Sequence, residues 1–330
     1  MRFQGTTGRF VAGLVAGLVV AACGASAPST GASVASGLSP SAAAAPSADP
    51  ATDKLAQVQS RGTLVLWTDP DYAPQSFSVK SATRLAETKC APNQMTAPEI
   101  SGYDAETGKL VAAALAVEPC FVATPFDAMI AGSWGDRYDV AWGSGAITSE
   151  RMERLYVTQP YYSTPANFFV KAGSSFREPA DLSSKRIGAC AGCTHERYLQ
   201  RTLELPGEPI DFVVDSPTIV TFNTEVPGLE AVEAGDVDAF LCSETVGLAA
   251  IDKGAKLEEI KTAAYFTHKT GYVDRDLTLA PARFLDAVDA AIADLHASGK
   301  LKELSVQFFK KDYSAPAAAF DLAALDQKVQ

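Results

Sequence analysis

Short unbroken apolar runs alternate along this chain with stretches whose apolar residues recur at helical spacing. Leu64-Val65-Leu66-Trp67 is such a run and stops at Thr68-Asp69-Pro70, while Cys120-Phe121-Val122-Ala123 and Asp139-Val140-Ala141-Trp142 follow the same pattern further on. Runs of this length next to turn residues predict buried strands. Between the first two, Leu110, Val111, Ala114 and Leu115 share one helical face, with Asp104 placed as an N-cap, and a shorter helix is predicted from Phe126 to Gly132. The third strand leads into Gly143-Ser144-Gly145-Ala146, read as a loop. This β-α-β-α-β order predicts a parallel sheet with ligand loops at the strands' carboxyl ends.

A second alternating unit begins after Tyr161-Tyr162. Asn167-Phe168-Phe169-Val170 predicts a linking strand, Arg186-Ile187-Gly188-Ala189-Cys190 a core strand, and Val237-Asp238-Ala239-Phe240-Leu241 another. Near the end, Phe284, Leu285, Val288, Ile292 and Leu295 fall on one helical face closed by Gly299, a helix expected to pack back on the first unit.

The two ends of this pattern differ from its body. Arg2 and Arg9 precede an apolar run from Phe10 to Ala22, too short to span a bilayer as a helix, and Val20-Ala21-Ala22-Cys23-Gly24 has the small residues and cysteine of a lipoprotein cleavage site. Residues 1–22 are therefore expected to be a signal peptide, with Cys23 acylated (a palmitate-type anchor) and the protein held at the membrane outside the cytoplasm. Residues 23–52, mostly Ala, Ser, Gly, Pro and Thr, hold too little apolar bulk to offset ordering entropy and predict a disordered tether. The body is acidic, with a formal charge of −11 for the whole chain before the two leader arginines are removed. That balance argues against a nucleic-acid partner, which calls for basic patches.

Beyond these elements, the chain carries an ordered series of short pieces. They include Thr68-Asp69-Pro70-Asp71-Tyr72-Ala73-Pro74, Gly102-Tyr103-Asp104, Pro125-Phe126-Asp127-Ala128-Met129-Ile130, Ile147-Thr148-Ser149-Glu150-Arg151, Gln159-Pro160-Tyr161-Tyr162, Lys185-Arg186-Ile187-Gly188, and Ala234-Gly235-Asp236-Val237-Asp238-Ala239. From about Arg61 to Tyr313 the series resembles the family 3 solute-binding proteins of polar amino acid ABC transporters. The resemblance implies an α/β, periplasmic-binding-protein-like fold of two lobes joined by a two-crossing hinge. Its expected segments are residues 53–163 for the first part of lobe 1, 164–266 for lobe 2, and 267–330 for the return to lobe 1 and the C-terminal tail. A small carboxylate-bearing solute, an amino acid above all, would lie in the interlobe cleft, and a permease would read closure around it.

By the same resemblance Arg151 is the carboxylate-binding arginine, a role suited to a guanidinium that grips both oxygens. Gly143, Ser144 and the backbone amides of Gly145 and Ala146 would complete that site at a helix N-terminus, although Ala146 stands where the family usually has a hydroxyl. Tyr72 and Phe126 would cover the ligand's side chain, Asp69 would meet a cationic group or cap its own turn, and Thr194 with His195 would contact ligand from lobe 2. The family's ammonium-binding aspartate aligns with Ser243, next to Glu244, so either Glu244 replaces that carboxylate, or the amine is bound differently, or the ligand has no α-ammonium.

Five cysteines follow Cys23. Cys90 and Cys120 flank the segment carrying Gly102-Tyr103-Asp104, where a disulfide would pin a long excursion. The pairing of Cys190, Cys193 and Cys242 stays open, and neither a metal nor another cofactor is expected. No hydrolase elbow, metalloprotease motif or dinucleotide fingerprint is present, so an enzyme is not expected. The alternative is a cyclohexadienyl-type dehydratase on the same fold.

Overall fold

The computed structural model describes residues 48–329, so Cys23 and most of the expected tether lie outside the described residues. The strand Thr63–Trp67 is buried throughout and pairs in parallel with Glu118–Val122 on one side and Val140–Ala146 on the other. Its apolar run is unbroken because both faces are covered. Leu64 and Leu66 pack on one face with Val111 and Ala112 of helix Tyr103–Ala114 and with Phe284, Val288 and Ile292 of the returning helix Ala282–Ala297. Val65 and Trp67 face the other way, toward Trp134, Tyr138 and Tyr272.

The second lobe repeats the plan. Arg186–Cys190 is central, parallel to Thr218–Phe222 and Ala239–Ser243, with its own apolar clusters around Phe168, Ile187 and Leu241 and around Phe169 and Phe240. Two long strands join the halves. Tyr162–Lys171 leads out of the first lobe, Tyr265–Asp274 leads back, and they pair antiparallel with Thr164 opposite Thr267. The outgoing strand pairs antiparallel with Ala239–Ser243 and the returning strand with Val140–Ala146, so the lobes share one continuous path of strands.

Cys90 and Cys120 are joined by a disulfide that fastens the excursion to the strand Glu118–Val122, beside which Met95–Thr96 also pairs. Two local expectations are corrected. Asp104 is not an N-cap: the cap lies two residues earlier, at Gly102, whose φ of 117° and contact with the Gln75 carbonyl leave no room for a Cβ. Asp104 is instead buried, accepting from Ser144 Oγ at 2.6 Å and Tyr161 OH at 3.0 Å. Nor is Gly143–Ala146 a loop: the strand runs through it because the returning strand, remote in sequence, supplies a ladder with Lys269 opposite Ala146.

Candidate ligand-binding cleft

The parallel strands of both lobes aim their carboxyl ends at one cleft of about 650 Å³, part of it open to solvent. Trp67 ends the first strand of lobe 1 and Asp69 follows it, Phe126 follows the second, and Ser144 and Ala146 lie on the third. Lobe 2 answers with Cys190, Thr194 and His195, with Asn223, Thr224 and Glu225, and with Ser243, again after three successive strands. Ligand sites gather where parallel strands end, because helix starts and loop side chains converge there.

Of the residues expected at the site, Asp69, Tyr72, Phe126, Gly143, Ser144, Ala146, Arg151, Thr194, His195 and Ser243 line this cleft. Gly145 and Glu244 do not. Gly145 pairs opposite Thr270 and lies against the ring of Tyr272. Glu244, the first residue of helix Glu244–Asp252, turns toward lobe 1 and accepts from Tyr313 OH and from Lys311 Nζ at 3.0 Å. It ties the lobes together and is not the expected substitute for an ammonium-binding carboxylate. The Ser144 hydroxyl is committed as well: it donates to Asp104 and accepts from Tyr162 OH at 2.6 Å, while the Ser144 N–H donates to Tyr161 OH at 2.9 Å. Neither is spare for a carboxylate.

Arg151 is 7% exposed. The helix Ser149–Met152, capped by the Thr148 hydroxyl, presents it to the cleft. Its guanidinium donates to the Ala146 carbonyl at 3.3 Å, to Tyr272 OH at 3.1 Å and to the Gly192 carbonyl at 3.5 Å, and lies 5.2 Å from the centre of the Phe126 ring. Every one of these partners is neutral. Asp69 has two tasks, because its carboxylate accepts from the Asp71 N–H at 3.0 Å and also lines the cleft, where burial raises its pKa.

Two charged residues of the cleft have no signal in the short motifs. Glu225, 3% exposed, opens helix Glu225–Ala234, and its Oε2 makes no hydrogen bond among the described residues. Burial raises its pKa to about 7, against the opposing pull of the Lys269 ammonium and the Tyr72 hydroxyl. Lys269, on the returning hinge strand, is also buried, and burial lowers its pKa to about 8 against the attraction of Glu225. His195 Nδ1 lies 3.4 Å from Glu225 Oε1, but burial, with Lys269 and Arg151 nearby, holds its pKa well below the ordinary range. The imidazole is thus neutral and the contact is not an ion pair. Cys190 and Cys193 form a disulfide in the cleft wall, and Cys242 is free and buried.

Residues 64–311 match the sequence profile of the bacterial extracellular solute-binding proteins, family 3. The chain belongs to that family. Among similar proteins, the L-arginine-binding protein of Pseudomonas aeruginosa is 28% identical over 250 residues, covering 72% of this chain and 91% of that protein. The L-cystine-binding protein TcyJ of Escherichia coli is 25% identical over 260 residues, covering 78% and 86%. Among solved structures, a mutant of ArgBP from T. maritima superposes with a TM-score of 0.63 at 20% identity, covering 78% of this chain and all of that one. An ancestral amino acid-binding protein, a precursor of cyclohexadienyl dehydratase, gives 0.62 at 21%, covering 78% and 99%. These structural likenesses establish the two-lobed fold.

In this family 3 protein the arginine depends on its support. A Cβ on Gly145 would fall 2.3 Å from Tyr272 Cε2, and Tyr272 is fully buried while its hydroxyl holds Arg151. Gly145→Ala is therefore expected to cost about 1 to 3 kcal/mol of stability by overpacking and to weaken ligand binding through the displaced guanidinium. Denaturant titration and calorimetry on the same variant check both effects.

Proposed function

We propose that this solute-binding protein holds an α-amino acid in the interlobe cleft, outside the cytoplasm, and delivers it to an ABC-type permease, anchored through an acylated Cys23. One observation carries the ligand class: a buried guanidinium whose hydrogen-bond partners are all neutral shares the cleft with a buried carboxylate oxygen that has no donor. An α-carboxylate on Arg151 and an α-ammonium on Glu225 would satisfy both. With Asp69 and Lys269 the cleft holds two acids and two cations, a balance that suits a zwitterion. Tyr72, Phe126 and Trp67 would cover the side chain, and Thr194 and Ser243 would add hydrogen bonds. The names of the arginine- and cystine-binding relatives point to the same class.

Calorimetry against a panel of amino acids, each paired with its des-amino and decarboxylated analogues, tests the reading. Truncating one partner of a buried charge pair costs about 2 to 5 kcal/mol, so each analogue is expected to bind about 30-fold or more weakly than its parent. Equal affinity for the des-amino analogue would remove Glu225 from the site. A second reading, dehydration of a cyclohexadienyl acid, draws on Glu225 itself, since a carboxyl with a pKa of about 7 suits a general acid. It requires product from such an acid with purified protein, whereas a receptor binds without turnover.

A further inference from the structure

The wall of the cleft contributed by lobe 2 holds a cluster that amino-acid binding does not use in full. His195 Nδ1 lies 3.5 Å from Cys190 Sγ and 3.4 Å from Cys193 Sγ. Glu225 Oε1 lies 3.4 Å from the same nitrogen and 3.9 Å from Cys190 Sγ. The two sulfurs are bonded to each other, so they offer a cation no thiolate in this state. We propose that reduction of the Cys190–Cys193 disulfide opens a tetrahedral site in which Cys190, Cys193, His195 and Glu225 bind a zinc-class divalent cation.

Ligand chemistry and spacing agree. A tetrahedral zinc ion with bonds of about 2.0 to 2.3 Å holds its donor atoms about 3.3 to 3.8 Å apart. The nitrogen–sulfur and nitrogen–oxygen separations already lie in or next to that range. The two sulfurs must part, and Glu225 must swing toward Cys193, because the donors that lie mutually close are those of Cys190, Cys193 and His195. Two thiolates, an imidazole and a carboxylate favour zinc or cobalt over magnesium or calcium, which take oxygen ligands. An independent observation points to a ligand here as well: Glu225 is buried with Oε2 unpartnered. Cys242 is not needed.

The redox step balances with a thiol reductant as co-reactant. Two thiols of the donor reduce the Cys190–Cys193 bond with two electrons and place two protons on the new cysteine thiols, leaving the donor as its own disulfide. Binding the cation then releases those two protons to solvent. The bound cation would occupy Glu225, so it would exclude an ammonium group. That exclusion, unlike metal binding itself, rests on the proposed amino-acid reading.

Co²⁺ is the probe, because thiolate-to-cobalt charge-transfer absorption reports sulfur ligation directly. The full chain is titrated with Co²⁺ oxidised and after treatment with a thiol reductant, with C190S/C193S, which keeps Cys90, Cys120 and Cys242, as the control. One equivalent of Co²⁺ with the two-thiolate absorption is expected in the reduced wild type alone. Zn²⁺ should displace it, and Glu225→Gln should weaken it by at least about tenfold, the lower limit for losing even an outer partner of a metal site. Absence of the charge-transfer band in the reduced wild type, or its persistence in C190S/C193S, overturns the proposal. Because the oxidised wild type needs no substitution, its amino-acid binding is measured separately: binding there without a cobalt site in the reduced form defeats this inference and leaves the receptor reading intact.

Discussion

Arg151→Ala is expected to weaken binding of the best ligand from the amino-acid panel by roughly two to three orders of magnitude, with the fold intact. Removing one partner of a buried ion pair costs about 3 to 5 kcal/mol, and each 1.4 kcal/mol is tenfold in affinity. The free protein should not suffer, because the guanidinium is buried among the Ala146 and Gly192 carbonyls and the Tyr272 hydroxyl, neutral partners that do not repay the desolvation of a charge. Thermal midpoints without ligand should therefore match wild type or exceed it, while the ligand-induced rise shrinks. Arg151→Lys should fall between, since an ammonium keeps the charge and loses the two-pronged grip. Calorimetry beside circular dichroism separates the cases. A folded alanine variant that binds within about threefold of wild type, under 1 kcal/mol, would remove the carboxylate from this residue.

The elements of the two half-sheets were legible because burial on both faces writes a strand as an unbroken apolar run, as in Leu64–Trp67. Helix Ala282–Ala297 was legible for a similar reason: one buried stripe must recur at helical spacing. Arg151 and the aromatics Tyr72 and Phe126 sit in short motifs near strand ends and were found there. What escaped depends on contacts between residues far apart in the chain. Whether Gly143–Ala146 is strand or loop is decided by the returning strand more than 120 positions later. Glu244 looked like a substitute carboxylate because it follows Ser243, yet the strand ends at Ser243 and the next side chain points to Lys311 and Tyr313. Glu225 had one faint signal, an acid opening a helical run after the strand Thr218–Phe222. Lys269 had another, a lysine in a strand whose neighbours are buried. Neither signal says that the two charges face one cavity.

Glu225 makes the second large prediction, and its sign follows from burial. Desolvation raises its pKa to about 7 in the free protein, so the carboxyl is largely protonated in mild acid. An ammonium ligand requires the ionised form, so binding below about pH 7 must first expel a proton. Affinity should therefore fall as pH falls, by roughly 20-fold between about pH 7.5 and 5.5. Glu225→Gln should bind at the upper pH about 100-fold or more weakly, as expected for removing one partner of a buried pair, and its affinity should be nearly flat over the same interval. Stability of the ligand-free protein should move the opposite way. The folded-state pKa lies above the ordinary value of 4.5, so the folded form holds the proton more tightly, and this group's contribution is complete below about pH 4.5 and lost as pH rises to about 7. Glu225→Gln removes that loss and should leave the free protein at least as stable as wild type at neutral pH. Asp104, also raised to about 7 by burial, is present in both proteins and cancels in the comparison. Of the other charges facing Glu225, Asp69 is raised by burial and, like Asp104, is present in both proteins, while Lys269 titrates nearer pH 8 and His195 well below its ordinary range, so the difference between the two proteins reports the Glu225 carboxyl. Wild-type affinity that stays constant across the interval, with Glu225→Gln binding equally well, would take the ammonium away from Glu225 and leave Asp69 as the acid in the cleft to meet it.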